Sequence, residues 1–143
     1  MQELQFIELD DKRQRMWAVA FKGRENAYAV YSNYKVGAAY EDEHGNIHAG
    51  CNVENAAYKG TCAEQGAISA MIAAGGRKVA SVVIVLEGAE PLCGLCLQHT
   101  WQFCEGDKDV PIYLISPDRS KVCRTTIGEL FPKPFTFQAP KES

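Results

Sequence analysis

The sequence has no apolar run long enough to cross a bilayer, and its first residues lack the basic and apolar regions of an export signal. A membrane protein is therefore not expected, and the cytosol is the default compartment. Excess basic charge is missing too: 15 Lys and Arg stand against 18 Asp and Glu, a net charge of -3. That balance offers no footprint for a polyanion, so no nucleic-acid partner is expected. There is no repeat, low-complexity tract or internal linker, which argues against solenoids and strings of domains. What remains is 143 residues, 46% of them hydrophobic. That is enough for one domain over residues 1–143 with a proper core.

Histidine is scarce, with three residues, whereas cysteine is plentiful, with six. A secreted scaffold would use so many cysteines as disulfides, but the chain is long for that class and shows no export signal. Thiols or metal ligands are the better reading. Cys51, Cys104 and Cys123 sit beside apolar residues without ligand spacing, and core packing accounts for them. His44, His48 and His99 read as surface or internally satisfied histidines.

Periodicity predicts an amphipathic helix over about 11–29 and a strand from Tyr34 to Tyr40. Glu43-His44-Gly45-Asn46 supplies turn chemistry, and Ile47 to Asn52 returns as the hairpin partner. Thr61 precedes a helix from Ala63 to Ala74, closed by Gly75-Gly76. Val79 to Leu86 and Val110 to Ile115 read as buried strands, Cys93 to Phe103 as a helix, and Thr126 to Phe131 as a last short helix. The first several residues and those from Gln138 to Ser143 read as loose. Strands alternating with helices after a hairpin imply an α/β fold, a three-layer α-β-α sandwich with a mixed central sheet.

The chemistry concentrates in Thr61-Cys62-Ala63-Glu64 and in Pro91-Leu92-Cys93-Gly94-Leu95-Cys96. Two thiols separated by two residues can bind one ion from a turn that enters a helix. A third thiol, also at a helix start, gives a three-sulfur site, and the free N–H groups of both helix ends stabilise thiolates. A catalytic zinc keeps its fourth position for water, so three ligands point to chemistry and four to structure. Cys104, His99 or Cys51 is the candidate fourth ligand of a structural site. Zinc lowers the pKa of water towards ~7, and a carboxylate such as Glu64 can take the released proton. Geometry sets a condition. Residues two apart on an ideal helix point in opposite directions, so Cys62 and Glu64 share a site only if Cys62 lies at the irregular first turn.

Cys-x-Glu followed by Cys-x-x-Cys is similar to the signature of zinc base deaminases. The likeness extends well beyond it. Tyr31-Ser32-Asn33-Tyr34-Lys35-Val36-Gly37-Ala38-Ala39 resembles the Tyr-Ser-x-Phe-x-Val-Gly-Ala-Ala of the cytidine deaminase family, specifically its small three-cysteine members. Gly50-Cys51-Asn52-Val53-Glu54-Asn55-Ala56-Ala57-Tyr58 resembles that family's ribose-binding segment, and Glu129-Leu130-Phe131-Pro132 with Phe135 its C-terminal motif. The resemblance implies one Zn²⁺ per chain on Cys62, Cys93 and Cys96, with Glu64 as the proton carrier. Asn52 and Glu54 would hold the ribose hydroxyls, Tyr34 would pack on base or sugar, and the Ala63 N–H would meet the pyrimidine O2. Gln65 and Tyr58 would stand behind these contacts. Phe135 would close a neighbouring subunit's pocket, which implies a homotetramer. The substrate implied is a free nucleoside, cytidine or 2′-deoxycytidine.

Three departures stand out. Gln65 occupies the place where the small enzymes usually carry arginine, and Leu97 that of a second arginine. Leu92 stands where proline precedes the first paired cysteine, with Pro91 displaced by one, and Val30 replaces the proline before Tyr31. Three thiolates on Zn²⁺ leave a formal charge of -1, which an arginine would offset through charge-assisted bonds to sulfur. Two further readings stay open: a deaminase of a modified cytosine nucleoside or nucleoside antibiotic, and a zinc-stabilised nucleoside-binding protein without activity. A polynucleotide deaminase fits the acidic, short chain less well.

Overall fold

Side chains alternate across a strand, so one sheet can carry a core on each face. In a computed structural model of the chain, described for residues 1–58, 60–137 and 140–142, six strands form one sheet. They are β1 (Gln2–Leu4), β2 (Gly37–Asp42), β3 (Ile47–Cys51), β4 (Val79–Val85), β5 (Pro111–Ile115) and β6 (Val122–Thr126). Their order is β1-β6-β5-β4-β2-β3. Only β4 and β5 run parallel; the other neighbours are antiparallel.

The helices are α1 (Asp11–Asn26), α2 (Ala63–Ala73), α3 (Gly94–Gln102) and α4 (Ile127–Leu130). Val82 and Ile84 of β4, with Ile112 and Leu114 of β5, join the core under α2, α3 and α4. Their neighbours Val83, Val85, Tyr113 and Ile115 join the core under α1, around Met16 and Ala20. The mixed α-β-α sandwich is thus the observed architecture. Each of these aliphatic side chains contributes about 1.5–3 kcal/mol by leaving water. Among the described residues no helix is long and apolar enough to cross a membrane.

Two glycines set the spacing of the layers. A methyl group at Gly37 of β2 would collide with the backbone of Ala20 and Arg24 in α1. One at Gly50 of β3 would collide with the backbone of Ala63, Gly66 and Ala67 in α2. The first turn of α2 therefore rests directly on the sheet, which matters because that turn carries Cys62 and Glu64. At its other end α2 closes as expected on Gly75 (φ 98°), with Gly76 N–H donating to the Met71 carbonyl and Gly75 N–H to that of Ile72.

The structure departs from the sequence reading in four places. The strand expected from Tyr34 begins only at Gly37, because Asn33 turns left-handed (φ 57°) and the Val36 N–H is taken by the Asn52 side chain. Helix α1 stops at Asn26 rather than 29, since Tyr28 bridges to Val53 instead. The N-terminus is not loose: Gln2–Leu4 pairs with β6. Strand β6 itself was not expected, because exposed Arg124 interrupts its buried positions. The looseness expected from Gln138 to Ser143 falls partly outside the described residues, and within them Glu142 pairs with Arg77 at 2.9 Å.

Candidate metal centre and active-site cleft

Both ligand-bearing segments enter helices, and in both the first cysteine is the N-cap. Cys62 is extended (φ -75°, ψ 158°) ahead of α2. Cys93 is extended (φ -68°, ψ 164°) ahead of α3. The condition set by helical geometry is met: Cys62 lies outside the helix proper, so its side chain and that of Glu64 need not diverge. Cys96, one turn into α3, is fully buried.

The three sulfurs lie within 4.8 Å of one another. Among the described residues no fourth Cys, His, Asp or Glu joins that group, so the candidate fourth ligands of a structural site are not there. Cys104 is buried and donates to the Thr100 carbonyl at 3.3 Å, and Cys123 is buried in the same core. Burial, with Asp107 nearby, pushes the Cys104 thiol up to about 12. Cys51 lies half-buried on β3. The histidines are as expected: His44 is exposed, His48 pairs with the Asp42 carboxylate at 2.8 Å, and His99 is half-buried with its imidazole pKa lowered by burial.

The donor set fits zinc. Soft sulfur ligands converging from two helix N-termini are what Zn²⁺ takes, and three of them leave a coordination position free. Burial pushes the Cys62 and Cys96 thiols up. Such thiols keep their protons until a cation displaces them.

Glu64 is 6% exposed. Burial raises its carboxyl pKa, opposed by a hydrogen bond with the Cys96 thiol. It faces a cavity of about 330 Å³ also lined by Tyr34, Asn52, Glu54, Cys62, Ala63 and Cys93. A second cavity of about 430 Å³ shares Asn52, Glu54 and Cys62 and extends to Tyr31 and Tyr58.

The segment 52–54 is held by the backbone on both sides. Asn52 accepts from Tyr28, Glu54 donates to Tyr28, and Val53 exchanges two bonds with Thr61, at 2.8–3.0 Å. Side chains then tie in the 31–36 loop. Asn52 accepts from Val36 N–H at 2.9 Å and donates to the Tyr34 carbonyl at 2.8 Å. The Glu54 carboxylate accepts from the N–H groups of Tyr31 and Ser32 at 3.0 Å and from the Ser32 hydroxyl at 2.5 Å. Those donors, the Ser32 hydroxyl foremost, hold its pKa below the ordinary carboxylate value. Ser32 was not singled out in the sequence; the signal was its place beside Tyr31 at the head of a recognised motif.

Tyr34 stands at the rim. Its hydroxyl donates to the Glu87 carbonyl at 2.9 Å, tying the 31–36 loop to the turn that leads to Pro91 and Cys93. Burial, then Glu90, raises its pKa. Gln65 caps α2: its side-chain oxygen accepts from Cys62 N–H at 2.8 Å, while the Cys62 sulfur accepts from Gln65 N–H. Among the described residues, no lysine or arginine lines either cavity. Leu97 packs against the apolar core under α3, and Leu92 is buried. The last two expected residues are exposed aromatics in the single chain. Tyr58 is 81% exposed, meets the Tyr31 ring edge-on and lines the second cavity with Asn52 and Glu54. Phe135 is 68% exposed and lines neither cavity.

A family profile described as the cytidine and deoxycytidylate deaminase zinc-binding region matches residues 10–113. The chain belongs to this family. The cytidine deaminase of Sporosarcina psychrophila is 39% identical over 126 residues, covering 86% of this chain and 90% of that protein. That of Halalkalibacterium halodurans is 35% identical over 127 residues, covering 87% and 94%. The crystal structure of cytidine deaminase from Burkholderia pseudomallei superposes with a TM-score of 0.78 at 36% identity, covering 85% of this chain and 98% of that one. The deaminase fold therefore spans nearly the whole chain. It includes both cysteine segments and Glu64.

Proposed function

We propose that the chain, acting as one zinc domain, hydrolyses cytidine and 2′-deoxycytidine to uridine and 2′-deoxyuridine with release of ammonia. The observation that carries the proposal is a three-thiol cluster, two of whose members, Cys62 and Cys93, line one cavity together with the buried Glu64 carboxyl, Asn52 and Glu54. Bound to Cys62, Cys93 and Cys96, zinc supplies the Lewis acidity that makes a water nucleophilic at neutral pH.

The chain's own residues do the rest. Asn52 and Glu54 take the ribose hydroxyls; each keeps hydrogen-bonding capacity beyond its loop bonds. The Tyr34 ring packs on the nucleoside, and Ala63 N–H, at the first turn of α2, donates to O2. Glu64 takes the proton of the attacking water and delivers it to N3 as the C4–O bond forms. It then carries the proton of the new C4 hydroxyl to the 4-amino group as the C4–N bond breaks. Ammonia leaves and C4 becomes a carbonyl. A buried carboxyl serves both transfers because its pKa lies nearer neutrality than that of an exposed one.

The protein works as a homotetramer in this reading. Phe135 and Tyr58 expose large aromatic surfaces in a single chain, and a partner's Phe135 covering a pocket accounts for both. The cytosol suits it, since all six cysteines are free thiols and three of them are needed as ligands.

Ribose recognition is tested with Glu54→Ala. For cytidine, kcat/KM is expected to fall about 100-fold, because ribose hydroxyls are left unpaired, while zinc content stays at the wild-type value. A variant that deaminates cytidine normally shows that Glu54 does not hold the sugar. Tyr34→Phe keeps the ring and loses the bond to Glu87. It is expected to raise KM about threefold with kcat unchanged, the cost of one exposed hydrogen bond. An equal fall in kcat at constant KM places the hydroxyl in the chemistry instead.

A further inference from the structure

We propose that Tyr40 and Thr100 are positioning residues for the metal site, their buried hydrogen bond fixing α3, and so Cys93 and Cys96, against the sheet on which α2 rests. The inference rests on the reading of Cys62, Cys93 and Cys96 as a zinc site.

Tyr40 lies on β2 with its side chain in the core shared by α2 and α3. Its hydroxyl is 2.7 Å from Thr100 Oγ1, and either atom can donate. Both residues are 0% exposed. Thr100 follows Cys96 by one turn on the same buried face of α3. The bond therefore joins the central sheet to the helix directly behind the buried ligand.

The two ligand helices are seated by different means. Helix α2 is set by backbone contact at Gly50, which leaves no play. Helix α3 has no glycine seated in this way: a Cβ at Gly94, its only glycine, would meet nothing within 4 Å. It is nine residues long, and its fully buried side chains, Cys96 and Thr100, are small. Apolar packing is non-directional and resists sliding of so short a helix weakly. A hydrogen bond fixes both distance and direction. An apolar pair of similar size would fill the same space without burying two hydroxyls, so the polar pair contributes alignment rather than bulk. Tyr40 also stays neutral, since burial and then the Glu64 charge push its pKa well up. The outer face of α3 is tied separately, through Gln98 to the Phe135 carbonyl and Trp101 to Thr136. The inner tie is therefore the one that faces the thiols.

The test compares the zinc-loaded wild type with Tyr40→Phe, Thr100→Val, the double variant and Thr100→Ser. Zinc release to a chromophoric chelator is followed, and protein produced in cobalt medium gives the Co²⁺–thiolate absorption bands. Ile115→Val, in the core on the opposite face of the sheet, controls for destabilisation as such. Each single variant is expected to release zinc on the order of tenfold faster and to shift the cobalt bands. The double variant should be no worse than either, Thr100→Ser should restore the wild-type values, and Ile115→Val should leave both readouts alone. If Tyr40→Phe fails to fold, Thr100→Val carries the same comparison. Wild-type zinc release and cobalt bands in the variants overturn the inference alone, leaving the pair as core packing. A wild type that binds no zinc overturns the metal reading and the inference with it.

Discussion

Glu64→Gln is expected to abolish deamination of cytidine, with kcat lowered roughly 10⁴-fold, the upper end for removal of an acid–base group, and zinc still bound at one per chain. The variant keeps the size and polarity of the side chain, so the cavity beside Cys62 and Cys93 survives. What is lost is the ability to hold a proton. The same carboxyl serves the attacking water, N3 and the leaving amine, so no single step escapes the substitution. Because Glu64 is buried and beside the Cys96 thiol, bulk water cannot substitute for it efficiently. Kinetics on cytidine with metal analysis of the same preparation check the prediction. Loss of zinc together with activity would make Glu64 a structural support of the metal. Retention of activity would remove it from the mechanism.

The second large effect is loss of the metal. Cys96→Ala removes the innermost sulfur, the one at 0% exposure, and leaves two thiols that cannot hold Zn²⁺ against ordinary competitors. No copurified zinc and no turnover are expected, and dialysis of the wild type against a chelator should reproduce the inactivity, reversed by added zinc. The fold should survive in far-UV circular dichroism. Unlike a zinc finger, this chain has apolar cores on both faces of its sheet. A melting temperature several degrees lower is nevertheless expected, since zinc binds only the folded arrangement of helix ends. Zinc bound by Cys96→Ala at wild-type stoichiometry would show that the three thiols are not the ligand set.

Much of the metal site was legible because its spacing is local. Cys93 and Cys96 lie three apart across an N-cap, and Cys62 and Glu64 straddle another, so short-range helix geometry decides where they point. Strands β4 and β5 were legible for the same reason, as continuous apolar runs, as was the glycine closure of α2. Strand β6 was not, because its register depends on pairing with β5 and β1 across the sheet, and Arg124 masks its alternation. The start of β2 was misplaced because the extended-looking residues 34–36 are claimed by the Asn52 side chain, a tertiary bond no periodicity reveals.

The replacement of arginine by Gln65 was visible as a departure. Its consequence was not: the amide caps the Cys62 N–H rather than bringing charge to the sulfurs. The network on Glu54 is another such case. Asn52 and Glu54 were expected to face a ribose, yet their places are fixed by Ser32 and by Tyr28, which are distant in sequence. The Tyr40–Thr100 bond links residues 60 apart. Only the folded chain brings them together.

The most direct test is ammonia release from cytidine by the purified protein, with zinc measured in the same sample. One zinc per chain and conversion of cytidine to uridine with equimolar ammonia is the predicted result. One zinc per chain with no turnover of cytidine or 2′-deoxycytidine would contradict it.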